Sequence, residues 1–301
     1  MKVMKFGGTS VAHASNINKV IDIVLEAKKR DENIVVVVSA LSGITDDLIM
    51  LASLASKGDF KYKTIFKAIC GRHDQAIKEL INSKNQEKIL EEINKKYSEL
   101  EEIVKNIFSI KKISPSSLDA IVSFGEQLSS YTIGEAIKSR GIPCEFVDSR
   151  DIIKTDDNFG SANVDLEKSY KLMSDCFKNK ILSIMGGFIG STSKGEITTL
   201  SRGGSDYTAS LVGAALDASV IEIWTDVDGI MTEDPKKMKY ALLIPEITYE
   251  KAEEMAYNGA KVIHPKTIRP AVLKNIPIYV KNTFNPTGSG TRISNQVKNE
   301  K

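Results

Sequence analysis

The chain has 301 residues, 42% hydrophobic and 27% charged, enough for one sizeable α/β domain or two smaller ones and free of disordered or fibrous bias. Lysine and arginine (41) nearly balance aspartate and glutamate (39), and a net charge of +2 argues against nucleic acid or an anionic membrane as the main partner. Three isolated cysteines and three histidines suggest neither a disulfide framework nor a zinc cluster. With no signal sequence and no apolar run of ~20 residues, they fit a cytoplasmic protein.

Val3, Met4 and Phe6 suit a short buried strand that ends at Gly7-Gly8-Thr9-Ser10, and the two glycines let the backbone turn and approach a ligand closely. Exposed N–H groups at such a turn favour phosphate, and Lys5 adds a full charge. No Walker A pattern occurs, and this lysine precedes its glycines. Ile17, Val20, Ile21, Val24 and Leu25 repeat at helical spacing, closed by Lys28-Lys29-Arg30. Ile34 to Val38 reads as a strand buried on both faces, followed by the small-residue loop Ser39-Ala40-Leu41-Ser42-Gly43. A helix then opens at Thr45, Asp46 and Asp47.

From Phe60 to Ile110 the sequence predicts a helical hairpin, with one stripe formed by Ile89, Leu90, Ile93, Tyr97, Leu100, Ile103, Val104 and Ile107. Ser114-Pro115 starts a helix that carries Glu126 among small and apolar neighbours. Strands are expected at Pro143 to Val147, Ile181 to Met185, Ile197 to Leu200, Val220 to Trp224 and Ile278 to Val280. Helices are expected at Leu166 to Phe177, Tyr207 to Ala215, Tyr249 to Tyr257 and after Pro265. Glycine loops follow several strands: Gly186 to Gly190, Ser201 to Asp206, and Thr225 to Gly229. The stretch from Asn285 is poor in apolar residues and reads as a linker.

Several strands thus end in loops that combine glycine with serine, threonine, lysine, arginine or aspartate. In open α/β sheets that edge is where ligands collect. Many backbone donors, a few cations and almost no histidine suit phosphoryl transfer, whose barrier is met by positioning and charge neutralisation more than by proton transfer.

Six blocks, taken in order, resemble the catalytic domain of the aspartate kinases, a branch of the amino-acid kinase family: Lys5 to Ser10, Val38 to Thr45, Ser123 to Glu126, Thr198 to Asp206, Trp224 to Ile230 and Gly259 to Pro265. The resemblance implies an α/β fold, a three-layer αβα sandwich with a largely parallel central sheet. It also implies a catalytic domain over 1–284, with an amino-acid lobe to about 195 and a nucleotide lobe from about 196; the linker-like tail over 285–301 departs from the family pattern, in which regulatory ACT domains commonly follow. The implied reaction moves the γ-phosphate of ATP, brought with Mg2+, to the β-carboxylate of L-aspartate, and the implied assembly is a homodimer. Lys5 would stabilise the transferred group, Asp206 would orient Lys5, and Gly7, Gly8 and Ser39 would donate to phosphates. Arg202 would take the substrate α-carboxylate, Glu126 its ammonium, and Thr45, Phe188 and Ser205 would complete the pocket. Thr225, Asp226, Gly229, Lys236 and Lys261 fall on nucleotide positions, and Met231 stands where the family commonly has a tyrosine against adenine. His264 beside Pro265 reads as a helix-start residue. The alternatives are another acceptor on the same fold, as in glutamate 5-kinase, acetylglutamate kinase or uridylate kinase, and a nucleotide or amino-acid binding protein without turnover. An N-acylated or nucleotide acceptor would leave Glu126 or Arg202 unpaired.

Overall fold

The computed structural model describes residues 1–30, 33–179, 181–233, 241–257 and 265–297. Lys2–Phe6 (β1) leads through a 3-10 turn at Gly8–Val11 into Ala14–Lys28 (α1), then Ile34–Val38 (β2) and Ile44–Ser56 (α2). The helical hairpin is Tyr62–Leu80 (α3) and Ser83–Ile110 (α4), followed by Pro115–Ser139 (α5), whose Ser114 N-cap accepts from Ser117 N–H at 3.0 Å. Next come Glu145–Val147 (β3), Ser149–Ile152 (α6), Lys154–Thr155 (β4), Leu166–Phe177 (α7) and Leu182–Gly186 (β5). Ile189–Thr192 (β6), Ile197–Thr199 (β7), Gly204–Ala215 (α8) and Val220–Thr225 (β8) carry the chain back to the sheet. The last elements are Glu246–Thr248 (β9), Tyr249–Tyr257 (α9), Pro265–Leu273 (α10), Ile278–Asn282 (β10) and Thr291–Ser294 (β11).

The main sheet has the order β3-β5-β2-β1-β8-β10-β11-β9, parallel except where β10 meets β11. Alternation sorts the side chains of the central strands. Met4, Phe6, Val36 and Val38 face a core built with α1 to α5, whereas Val3, Val35 and Val37 face a second core built with α7 to α10. Helices therefore cover both faces, giving the three layers expected. The all-valine centre of β2 is fully buried, and each such side chain contributes roughly 1.5–3 kcal/mol by leaving water.

Register places the ends of the central strands level: Phe6 pairs with Val38 and Trp224, and Val38 with Gly186. The helices after β1 and β2 pack on one face, whereas α8 to α10 pack on the other. Loops leaving toward opposite faces open a crevice at the strands' carboxyl ends.

The turn after β1 is a separate 3-10 segment, and α1 begins at Ala14. Two expectations change. Ile189, read as part of a glycine loop, starts β6, which joins β4 and β7 in a small second sheet. The stretch from Asn285, read as linker, contains β11, paired with β10 on one side and β9 on the other. Thr291 and Ile293 are fully buried there, so two neighbouring strands supply the hydrogen bonds and cover that a short, polar-looking segment lacks by itself.

Candidate active site

Lys5 sits on β1 in phase with Val3 and so points to the face covered by α8. There its Nζ lies 2.6 Å from Asp206 Oδ1, in the first turn of α8, and the residue is 9% exposed. Strand alternation and one helix thus aim a cation at the sheet edge and lock it with a carboxylate. The pair borders a cavity of about 390 Å³.

Two helix N-termini open onto the same cavity. Gly43, at φ 82°, precedes α2, and Gly203, at φ 80°, precedes α8; both are left-handed, and neither start is capped by a side chain. Ile44 N–H already donates to Leu41 O at 2.9 Å, which leaves the N–H groups of Thr45 and Asp46 on α2, and of Gly204, Ser205 and Asp206 on α8, for a ligand at the positive ends of two helix dipoles. Gly8 belongs to this wall, and Gly7 lies just behind it, donating its N–H to Trp224 O at 3.1 Å. Ser39 and Thr45 line the cavity. Ser10 does not: its hydroxyl turns inward to Thr283 at 2.7 Å.

Glu126 enters the cavity from α5 and is 4% exposed. Ala40 N–H donates to its Oε1 at 3.1 Å, while Oε2 is buried without a partner. Burial pushes the carboxyl up to about 8, against the opposing pull of the Ala40 N–H and the Lys5 charge. A buried acid at the cavity wall with one unpartnered oxygen is a site for a cationic group.

Close packing makes this approach feasible. A Cβ on Gly186 would lie 2.9 Å from Glu126 Cβ, and one on Gly187 would lie 2.6 Å from Ser205 Cβ. Gly186, which ends β5, and Gly187 therefore admit neighbouring side chains and do not themselves line the cavity. Phe188, which does, holds a left-handed φ of 68°, a conformation that costs about 1–3 kcal/mol in a non-glycine residue. Its N–H donates to Thr208 Oγ1 at 3.0 Å and its carbonyl accepts from Leu200 N–H at 2.8 Å, which fixes the strained position. Ser205 lines the cavity as well.

The structure thus brings Lys5, Asp206, Glu126, Thr45, Phe188 and Ser205 to one cavity. Arg202 stands apart: it is exposed on the turn next to Gly203, outside the lining. Thr225 and Asp226 follow Trp224 at the end of β8, half-buried and exposed, with the Thr225 hydroxyl donating to Asp226 at 3.2 Å. Gly229 has φ 143°, and a Cβ there would meet Thr291 Oγ1 at 2.5 Å, so packing against β11 already requires glycine. Met231 is half-buried and bridges to Leu243. Lys236, Lys261 and His264 lie outside the described residues.

Sequence reasoning missed Asp46, in the first turn of α2 and in the cavity wall. It also missed Asp119, buried on α5, which accepts from Thr199 N–H and Oγ1 at 2.8 Å each and from Gly160 N–H at 2.9 Å. Asp119 thereby anchors the end of β7, from which the Arg202 to Asp206 loop departs. Its signal was an acid in the buried phase of a helix, legible only once the neighbours are known.

A model of the amino acid kinase family matches residues 1–282. The chain belongs to the amino acid kinase family. Within that family it is similar to the lysine-sensitive aspartokinase 3 of Escherichia coli, 38% identical over 99% of this chain and 65% of that protein. It is also similar to the chloroplastic bifunctional aspartokinase/homoserine dehydrogenase 1 of Zea mays, 35% identical over 99% of this chain and 32% of that protein. A solved structure of E. coli aspartokinase III in complex with aspartate and ADP superposes with a TM-score of 0.90 at 37% identity, covering 99% of this chain and 65% of that one. The chain therefore spans less than two thirds of the length of these relatives. The family's common fold accounts for the crevice, and the residues around Lys5 account for what it can do. No group of three metal-binding side chains occurs among the described residues, and no helix there is long and apolar enough to cross a membrane.

Proposed function

We propose that the chain transfers the γ-phosphate of MgATP to the β-carboxylate of L-aspartate, giving 4-phospho-L-aspartate and ADP, the committing step toward lysine, threonine and methionine. The observation that carries this reading is the convergence on one cavity of the Lys5–Asp206 pair, two uncapped helix N-termini and the half-satisfied Glu126. The likeness to an aspartokinase bound to aspartate and ADP supports it.

A carboxylate oxygen attacks the γ-phosphorus, the bond to the β–γ bridging oxygen breaks, and ADP leaves with that electron pair. The acceptor, with a pKa near ~4, is already ionised at neutral pH, so no general base is needed. Repulsion between two anions is the obstacle. Lys5 meets it with positive charge held in place by Asp206, and the amides opening α2 and α8 add dipoles that need no reorganisation. Gly8 and Ser39 belong to the phosphate side, whereas Gly7, read from the sequence as a phosphate donor, has its N–H committed to Trp224 O; Thr45, Phe188 and Ser205 belong to the aspartate side. Glu126 receives the substrate ammonium, and Arg202, on its exposed turn, reaches the α-carboxylate from the rim.

Thr225, Asp226, Gly229 and Met231 continue the site along the β8 edge toward the nucleotide, and the resemblance assigns Lys236 and Lys261 to the same ligand. With no acidic cluster among the described residues, Mg2+ would arrive with the phosphates and would supply neutralisation of their charge; Asp46, Glu126 and Asp206 are the acids in the cavity wall. The assembly in this reading is a homodimer in the cytoplasm, and the chain divides into an amino-acid lobe to about 195 and a nucleotide lobe beyond it.

The test is an acceptor panel with MgATP, read by ADP release for every acceptor and by hydroxylamine trapping of an acyl phosphate. Aspartate is expected to give hydroxamate, with glutamate, N-acetylglutamate and uridylate inert. Turnover of one of those in place of aspartate would reassign the acceptor, and none at all would leave a binding protein.

A further inference from the structure

Arg72 lies on α3, in the helical hairpin, and has no part in the reaction described above. Its Nη1 donates to Ser42 O at 2.7 Å and its Nη2 to Ala12 O at 3.0 Å. Both acceptors are backbone carbonyls, one in each of the two loops that border the cavity. No carboxylate among the described residues shares the charge.

Each contact sits at a consequential point. Ser42 immediately precedes Gly43, the left-handed residue that starts α2, so holding its carbonyl sets the direction of the first N–H groups of that helix. Ala12 closes the 3-10 turn after Gly8 and Thr9, with its own N–H on Thr9 O. On the cavity side the loops already touch, since a Cβ on Gly8 would lie 3.1 Å from Ala40 O. Arg72 ties them on the outer side. A flat guanidinium carries donors on separate nitrogens and spans two carbonyls at fixed spacing, which a lysine ammonium does not reproduce.

We propose that Arg72 is a positioning residue, a strap from the helical hairpin that sets the distance between the loops at 7–12 and 39–43 and so aligns Gly8, Ser39 and the start of α2 on the transferred phosphoryl group. The kinetic part rests on the phosphotransferase reading. The hairpin thereby becomes part of the catalytic apparatus, although none of its residues lines the cavity.

The test uses Arg72→Met, which keeps the stem and removes the fork, beside Arg72→Lys and Arg72→Ala. Misplacement of reacting groups by about 1 Å costs on the order of 100-fold, so kcat in Arg72→Met is expected to fall about 10- to 100-fold while KM for aspartate stays within about threefold. Arg72→Lys should retain an intermediate rate, and millimolar methylguanidinium should restore part of the rate of Arg72→Ala. Amide hydrogen exchange without substrates, measured in parallel, should be at least about tenfold faster at 7–12 and 39–43 in Arg72→Met, with α4 unchanged. Unchanged exchange in both loops overturns the strap whatever the rates, and so does a wild-type kcat in Arg72→Met. A wild-type protein that phosphorylates nothing would instead defeat the phosphotransferase reading, and the exchange comparison would still decide the strap.

Discussion

The two ends of the crevice are built differently. At the Lys5 end Lys5 and Glu126 are buried and Asp206 is half-buried, the helix starts are fixed by left-handed glycines, and a phenylalanine is held in a strained conformation. At the β8 end Asp226 is exposed, Thr225 and Met231 are half-buried, and the one constrained glycine is explained by packing against Thr291. The contrast follows from what each end must do. Charge that develops in a transition state is stabilised only by groups already in place, whereas a nucleotide can be held by contacts that form as it binds. Substitutions at the first end should therefore act on rate, and those at the second on affinity.

The largest effect is expected at Lys5. Lys5→Ala should lower kcat by about 100- to 10,000-fold with little change in MgATP affinity, read by steady-state kinetics beside a binding titration on Trp224, the single tryptophan, which stacks on Phe6 at 5.8 Å. An affinity loss that accounted for the whole defect would erase the contrast between the two ends. Gly187→Ala comes next: its Cβ would fall 2.6 Å from Ser205, so Ser205 must shift, and kcat/KM for aspartate should drop at least about tenfold.

Glu126→Gln should raise KM for aspartate about 10- to 100-fold by removing the partner of the ammonium. The pH dependence sharpens this. Because burial holds Glu126 near 8, the free protein carries it neutral at pH 7, and binding an ammonium ionises it. Aspartate binding should therefore release up to about one proton below pH 8, seen as a buffer-dependent calorimetric enthalpy, and tighten as pH rises toward 8. The same shift lowers stability as pH rises between the unfolded value and 8, since the folded state holds the extra proton in that window. Glu126→Gln should accordingly raise the Tm of the ligand-free protein at pH 8.5, and a lower Tm there would contradict the assigned burial. Met231→Tyr should have the smallest effect, a change of no more than about threefold in KM for MgATP with kcat unaltered.

Much of this contrast was legible in the sequence because strand, glycine turn and charge are local patterns. The phase of Lys5 on β1 follows from alternation, and Glu126 stands out as an acid among buried neighbours. The remainder depended on contacts between distant residues. Gly187 and Gly229 look like ligand-loop glycines, yet each makes room for a partner, Ser205 or Thr291, that no local pattern pairs with it. Arg72 is one cation among many on a charged helix until two carbonyls are found at its fork. The 291–294 strand failed to register because its burial is supplied by β9 and β10 and not by its own apolar content.

The central claim is that this cavity phosphorylates the β-carboxylate of aspartate. Borohydride reduction of the product formed from aspartate and MgATP tests it most directly, because an acyl phosphate is reduced to the alcohol at the carbon that carried it. Homoserine is the product expected from the β-carboxylate. Reduction at the α-carboxylate position, giving 3-amino-4-hydroxybutanoate, or unchanged aspartate in the presence of steady ADP formation, would contradict the account.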